Sequence, residues 1–166
     1  MIAENVMSND LSDLLTPDLI VVGVAATSKK SMFQQLGALV APTLALDAAT
    51  VSTALADRER LGSTGFGGGV AIPHARIAGL PRIVIIVARL LQAIEYQAVD
   101  DTPVDIIVAM LSPPDAGADH LKALARVSRR FRDRIFVDKL RGAGSRDAFY
   151  ALLTADEPGR GARDAA

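Results

Sequence analysis

Three apolar runs set the narrowest limits on what this chain can fold into. They are residues 19–24 (LIVVGV), 82–90 (RIVIIVARL) and 104–111 (VDIIVAML). Each is β-branched and apolar and reads as a buried strand. Strands of that kind need cover on both faces, and helical patterns lie between and after them. Ser28 is a candidate N-cap for a helix from residue 29 to about 44, with Met32, Leu36, Leu39 and Val40 as its core stripe. Pro42 is expected to break or kink it. Asp47 caps a second helix that runs to about Leu61 and stops at Gly62. A third covers residues 118–132, with Leu121, Leu124, Ala125 and Phe131 on one face. Residues 134–140 form a further helical piece, and Ser145 caps a last helix through Phe149, Leu152 and Leu153. Residues 9–15 suggest a short helix or turn, Thr16-Pro17-Asp18 a break, and residues 94–98 a short strand.

The expected fold is a single α/β domain over residues 9–155, a mixed parallel and antiparallel sheet with helices on both faces. Residues 1–8 read as a frayed N-terminus and residues 156–166 as a polar, disordered tail. Composition narrows the function. A net charge of −1 over 166 residues argues against nucleic-acid binding. The absence of cysteine removes disulfides and thiolate metal sites, and two histidines make a His-rich metal site a poor fit. No apolar run reaches the roughly 18 residues that span a bilayer, and no secretory signal is visible, so membrane insertion is not expected and the cytoplasm is the default.

Residues 61–76, LGSTGFGGGVAIPHAR, concentrate the chemistry. Five of the chain's thirteen glycines lie here, with one of its two histidines. The dinucleotide fingerprint fails because Val70 stands where its last glycine should be, and a P-loop fails because Gly68 stands where its lysine should be. The stretch also follows a helix and precedes a strand, the reverse of both. Ser63 is not in a nucleophile elbow. Ser63, Thr64 and the loop N–H groups could instead donate hydrogen bonds to an anion. Pro73 stiffens the entry to His74. Taken alone His74 has a simpler reading as a structural or surface histidine, and His120 as a helix-terminal one. Arg58 continues the face of Val51 and Leu55, where a snorkelling arginine would also serve. Lys122, Arg126, Arg129, Arg130 and Arg132 are most simply a solvated face.

Together, Arg58-Glu59-Arg60-Leu61-Gly62-Ser63-Thr64-Gly65-Phe66-Gly67 and Val70-Ala71-Ile72-Pro73-His74-Ala75-Arg76 resemble the signature of enzyme IIA domains of the phosphoenolpyruvate:sugar phosphotransferase system. The fructose/mannitol/nitrogen-regulatory class fits best. Ser28-Lys29-Lys30, Pro103-Val104-Asp105 and His120-Leu121 extend the resemblance over roughly residues 10–153. It implies that His74 accepts a phosphoryl group on Nε2 from a phosphohistidine of the carrier HPr or its nitrogen-branch relative. Arg58 and His120 would line the phosphoryl site, with Ser63, Thr64 and Gly65 as its binding loop. No cofactor or metal is implied. Ala75-Arg76 departs from many relatives, which have glycine and a different following residue. Standing without an attached IIB or permease domain, the chain more resembles the nitrogen-regulatory branch, which binds target proteins according to phosphorylation. The alternative is a transport IIA that passes phosphate to a IIB domain of a fructose/mannitol-type permease.

Overall fold

The computed structural model describes residues 11–155; the expected frayed segment 1–8 and disordered tail 156–166 lie outside the described residues. Among the described residues, six strands and five helices follow in the order β1 (Leu15–Val24), α1 (Lys29–Leu44), α2 (Ala48–Arg60), β2 (Gly65–Gly67), β3 (Val70–Ala71), β4 (His74–Arg76), β5 (Val84–Ile94), β6 (Val104–Ser112), α3 (Ala118–Phe131), α4 (Arg134–Gly142) and α5 (Arg146–Thr154). The sheet runs β1-β5-β6-β3-β2, with β4 also on β6. β1 pairs β5 in parallel and β5 pairs β6 antiparallel. β3 and β4 both run parallel to β6, and β2 closes antiparallel on β3. The mixed sheet and its two-sided helical cover are as the sequence implied.

Period-two alternation in the central strands divides the core. Val84, Ile86 and Ala88 of β5 pack with Met32, Phe33 and Leu36 of α1 and Val51 and Leu55 of α2. Ile85 and Val87 turn the other way, with Val127, Phe136, Leu140 and Phe149 of the three C-terminal helices. Each such buried Val, Leu, Ile, Met or Phe side chain contributes about 1.5–3 kcal/mol. Among the described residues, no helix is long and apolar enough to cross a membrane.

β3 and β4 lie end to end along one edge of β6. Ala71 pairs Ile107 and His74 pairs Met110. The register is continuous across the gap, where Pro73 has no N–H to give and its carbonyl accepts from Met110 N at 2.9 Å. One proline therefore splits a single parallel track in two and starts the second piece at His74.

Of the helix or turn expected over residues 9–15, the described part is a turn: Leu14 and Leu15 N both donate to the Leu11 carbonyl. Several local expectations need correction. Thr16–Pro17–Asp18 is no break, because β1 runs through it with an irregular register between Leu15 and Ile20. Pro17 is tolerated because β1 is an edge strand. Pro42 does not end α1, which continues to Leu44 and stops at Ala45 with φ 53°. So near the end, the proline removes a single helical bond. Residues 95–98 are not a strand, although Ile94, Tyr96 and Ala98 are buried in turn. Their alternation is real, but no ladder accompanies it.

The apolar face of α3 is also rotated from the expected one. Leu121 is 66% exposed, and the buried face is His120, Ala123, Val127, Arg130 and Phe131. Two polar residues on the inner face concealed it. Arg130 does not belong to a solvated face: its guanidinium lies 3.6 Å from the Phe136 ring centre. Arg126 pairs with Asp13 at 2.7 Å.

Candidate functional site

His74 opens β4 directly after Pro73, half-buried at the sheet edge. Its Nδ1 lies 2.9 Å from the Ile72 carbonyl. A carbonyl can only accept, so Nδ1 carries the proton and Nε2 keeps its lone pair. Arg58, in the last turn of α2, donates Nε–H to that Nε2 at 3.3 Å and Nη1–H to the Gly62 carbonyl at 3.0 Å. The second bond holds the guanidinium beside the Nε2 atom.

His120 enters from the first turn of α3 and is buried. Its ring centre is 5.7 Å from that of His74, tilted by 57°. Its Nδ1 lies 2.7 Å from Ser112 Oγ at the end of β6. An open cavity of about 390 Å³ is lined by Ala54, Arg58, His74, Ala75, Arg76 and His120. Three elements thus bring Arg58, His74 and His120 together, although 16 and then 46 positions separate them in the chain (58 to 74, 74 to 120).

The electrostatics favour neutral imidazoles. Burial holds His74 below the usual histidine range and the Arg58 charge adds to this, against the opposing effect of the Ile72 hydrogen bond. Burial also lowers His120, helped by Arg76 and His74. An uncharged His74, whose Nε2 lone pair is occupied by the Arg58 Nε–H, can act as a nucleophile toward an electrophile bearing negative charge once that guanidinium turns to it.

Ser63, Thr64 and Gly65 do not line this cavity. Thr64 gives its N–H and hydroxyl to the buried Glu59 carboxylate, at 3.1 and 2.6 Å. Tyr96 Oη lies 3.0 Å from Thr64 Oγ1, and Lys29 Nζ reaches Glu59 at 3.0 Å. Burial and the Glu59 charge push the Tyr96 hydroxyl strongly up, so it stays protonated. Ser63 Oγ donates to the Tyr96 carbonyl at 3.4 Å and accepts from Gly65 N at 3.2 Å. Gly65 sits so close to the chain that a Cβ there would lie 2.7 Å from Ala98 Cβ. The glycine stretch is held by its surroundings. It is a short β2–β3 hairpin whose tip is held by Arg141, which donates to the Gly68 carbonyl at 2.6 Å and to Asp105 at 2.9 Å. The hairpin meets the site through backbone: the Thr64 carbonyl accepts from Ile72 N at 3.0 Å, and Ile72 in turn orients His74.

Three site-related residues escaped the sequence. Arg76 lines the cavity two positions after His74, on the same side of β4; strand alternation could have found it. Glu59 is the buried acceptor that organises the hairpin, yet it reads as an ordinary helix-surface glutamate. Ser112 gives no local signal, since its partner lies on another element.

The chain is similar to known proteins over most of its length. Residues 13–156 match the family described as phosphoenolpyruvate-dependent sugar phosphotransferase system, EIIA 2. A nitrogen regulatory protein of Bradyrhizobium diazoefficiens is 40% identical over 143 residues, covering 86% of this chain and 94% of that one. The crystal structure of nitrogen regulatory protein IIA-Ntr from Neisseria meningitidis superposes with a TM-score of 0.81 at 33% identity, over 87% of this chain and 99% of that one. The mannitol IIA of Escherichia coli shares the fold, with a TM-score of 0.70 at 16% identity over 83% and 97% of the two chains. The chain belongs to the EIIA 2 family of the phosphoenolpyruvate-dependent sugar phosphotransferase system, and within it is IIA-Ntr-like.

Proposed function

We propose that His74 is the phosphoryl acceptor, taking the group on Nε2 from the phosphohistidine of a small HPr-like carrier or its nitrogen-branch relative. The observation that carries this is the Ile72 carbonyl on Nδ1, which leaves the lone pair on Nε2, where the Arg58 Nε–H meets it beside an open cavity. In the transfer, that lone pair attacks phosphorus in line. The N–P bond of the donor breaks, and its electron pair stays on the departing imidazole. No proton need move when the donor ring carries N–H on its other nitrogen: it leaves as a neutral imidazole, and the phosphorylated His74 ring, keeping Nδ1–H on Ile72, takes over the positive charge. Little covalent chemistry remains for the protein, so positioning and charge stabilisation dominate. Arg58 would leave the Nε2 lone pair and turn its N–H groups to the phosphoryl oxygens. His120 would face the same group from α3.

The chain then acts as a phosphorylation-dependent regulator. Its cavity gains about −1.5 to −2 charges on phosphorylation, enough to change which protein surfaces it accepts. Likeness to nitrogen regulatory proteins over most of both chains supports regulation. Membership of the family supports a cytoplasmic setting. Incubation with phosphoenolpyruvate, enzyme I and the carrier should give an acid-labile adduct that His74→Ala abolishes. A pull-down with wild type, His74→Ala and His74→Asp should capture different partners. Rapid onward transfer to a purified IIB domain, with no phosphorylation-dependent partner, would favour the transport role instead.

A further inference from the structure

We propose that Ser112 is a positioning residue that fixes His120 in its Nε2–H form, so that the two site histidines hold opposite tautomers. The inference rests on the reading of His74 as phosphoryl acceptor for its purpose, but not for its geometry.

Ser112 ends β6 and is fully buried. Its Oγ lies 2.7 Å from His120 Nδ1, and among the described residues that nitrogen is the hydroxyl's one hydrogen-bond partner. Two arrangements satisfy the distance. If Nδ1–H donated to Oγ, the hydroxyl hydrogen would be left buried and unpaired, at a cost of about 1–3 kcal/mol. If the hydroxyl donates to Nδ1, both groups are satisfied. The second arrangement wins, and the ring proton of neutral His120 then sits on Nε2. At His74 the partner is a carbonyl, which cannot donate, and the outcome is reversed.

The two rings share one cavity with their centres 5.7 Å apart. Nδ1 of each is committed to β6 or to the strand entry, so it is Nε2 of each that serves the cavity, that of His74 with its lone pair on the Arg58 Nε–H until phosphorus takes its place. His74 presents a lone pair there and His120 an N–H. That pair suits a phosphoryl group: one nitrogen binds phosphorus while the other donates to an oxygen. With His120 as Nδ1–H, two lone pairs would face the same anionic group, and repulsion would replace a hydrogen bond.

The experiment is a long-range ¹H–¹⁵N correlation spectrum of the imidazoles in the unphosphorylated protein, at a pH where both are neutral. Wild type should show His74 as Nδ1–H and His120 as Nε2–H. Ser112→Ala should populate a second His120 tautomer and slow phosphoryl acceptance about tenfold, while Ser112→Thr, which restores the hydroxyl, should recover both. His120 found as Nδ1–H in wild type would overturn the proposal, whatever the variants do. So would an unchanged His120 spectrum in a folded Ser112→Ala protein. Opposite tautomers in a protein that never accepts phosphate on His74 would instead sink the acceptor reading and leave the Ser112 assignment standing.

Discussion

Among the described residues, Arg58 makes the one side-chain hydrogen bond to the Nε2 that is proposed to bind phosphorus, at 3.3 Å. In the phosphorylated state that guanidinium can serve the phosphoryl oxygens. A hydrogen bond to a charged group is worth about 1.5–3 kcal/mol, so Arg58→Ala should slow acceptance roughly ten- to a hundredfold. Single-turnover transfer from the phosphorylated carrier would measure this, and a normal rate would remove Arg58 from the site. Arg58→Lys should recover only part, because an ammonium cannot hold Gly62 and a phosphoryl oxygen with one planar fork. The histidines also predict a pH response. Both have folded pKa values below the ordinary 6.5. The unfolded chain therefore binds protons first as pH falls. Stability from these groups is fully present above pH 6.5 and is lost as pH drops below it, toward the folded values. Acceptance should likewise persist at pH 6.5 and fail only lower, where His74 protonates. A wild-type denaturation midpoint that falls no more steeply below pH 6.5 than that of a His74→Ala/His120→Ala double variant would contradict this.

At the scale of elements, the site is held by a junction between α2 and the β2–β3 hairpin. Glu59 is the buried hub, taking bonds from Lys29 and from the Thr64 N–H and hydroxyl. Removing it leaves those donors unpaired inside, so Glu59→Ala should lower unfolding free energy by about 2–4 kcal/mol, read from urea midpoints. Because Thr64 binds Ile72, the same change should loosen His74 and slow phosphoryl acceptance without touching the cavity. Gly65→Ala drives a methyl into Ala98 and should cost about 1–3 kcal/mol by overpacking. The sequence showed that residues 61–76 mattered, but it assigned the hydroxyls to an anion. Donors on a glycine-rich stretch look available until their partners are known. Here the partners are Glu59 and Tyr96, 5 residues before Thr64 and 32 residues after it.

For the whole molecule, the sheet and its two helical layers were legible because long apolar runs and helix caps are local signals. Ser28, Asp47 and Ser145 cap the helices they were expected to cap. What stayed hidden was non-local: which face of α3 turns inward, where Arg130 lies, and that Ser112 meets His120. Polar residues on an inner face defeat a hydrophobic pattern, and His120 and Arg130 both do so on α3. The fold's contribution to function is one of registry. β6 carries His74 on a neighbouring strand and Ser112 at its own end, and α2 and α3 bring Arg58 and His120 from opposite faces of the sheet. The most direct measurement of the central claim is site mapping of the phosphoryl group after transfer from the phosphorylated carrier, by mass spectrometry under neutral conditions and by phosphorus–nitrogen coupling. The account predicts one acid-labile phosphoryl group on Nε2 of His74, absent in His74→Ala and still on His74 in His120→Ala. An adduct on His120, or one that survives His74→Ala, would contradict it.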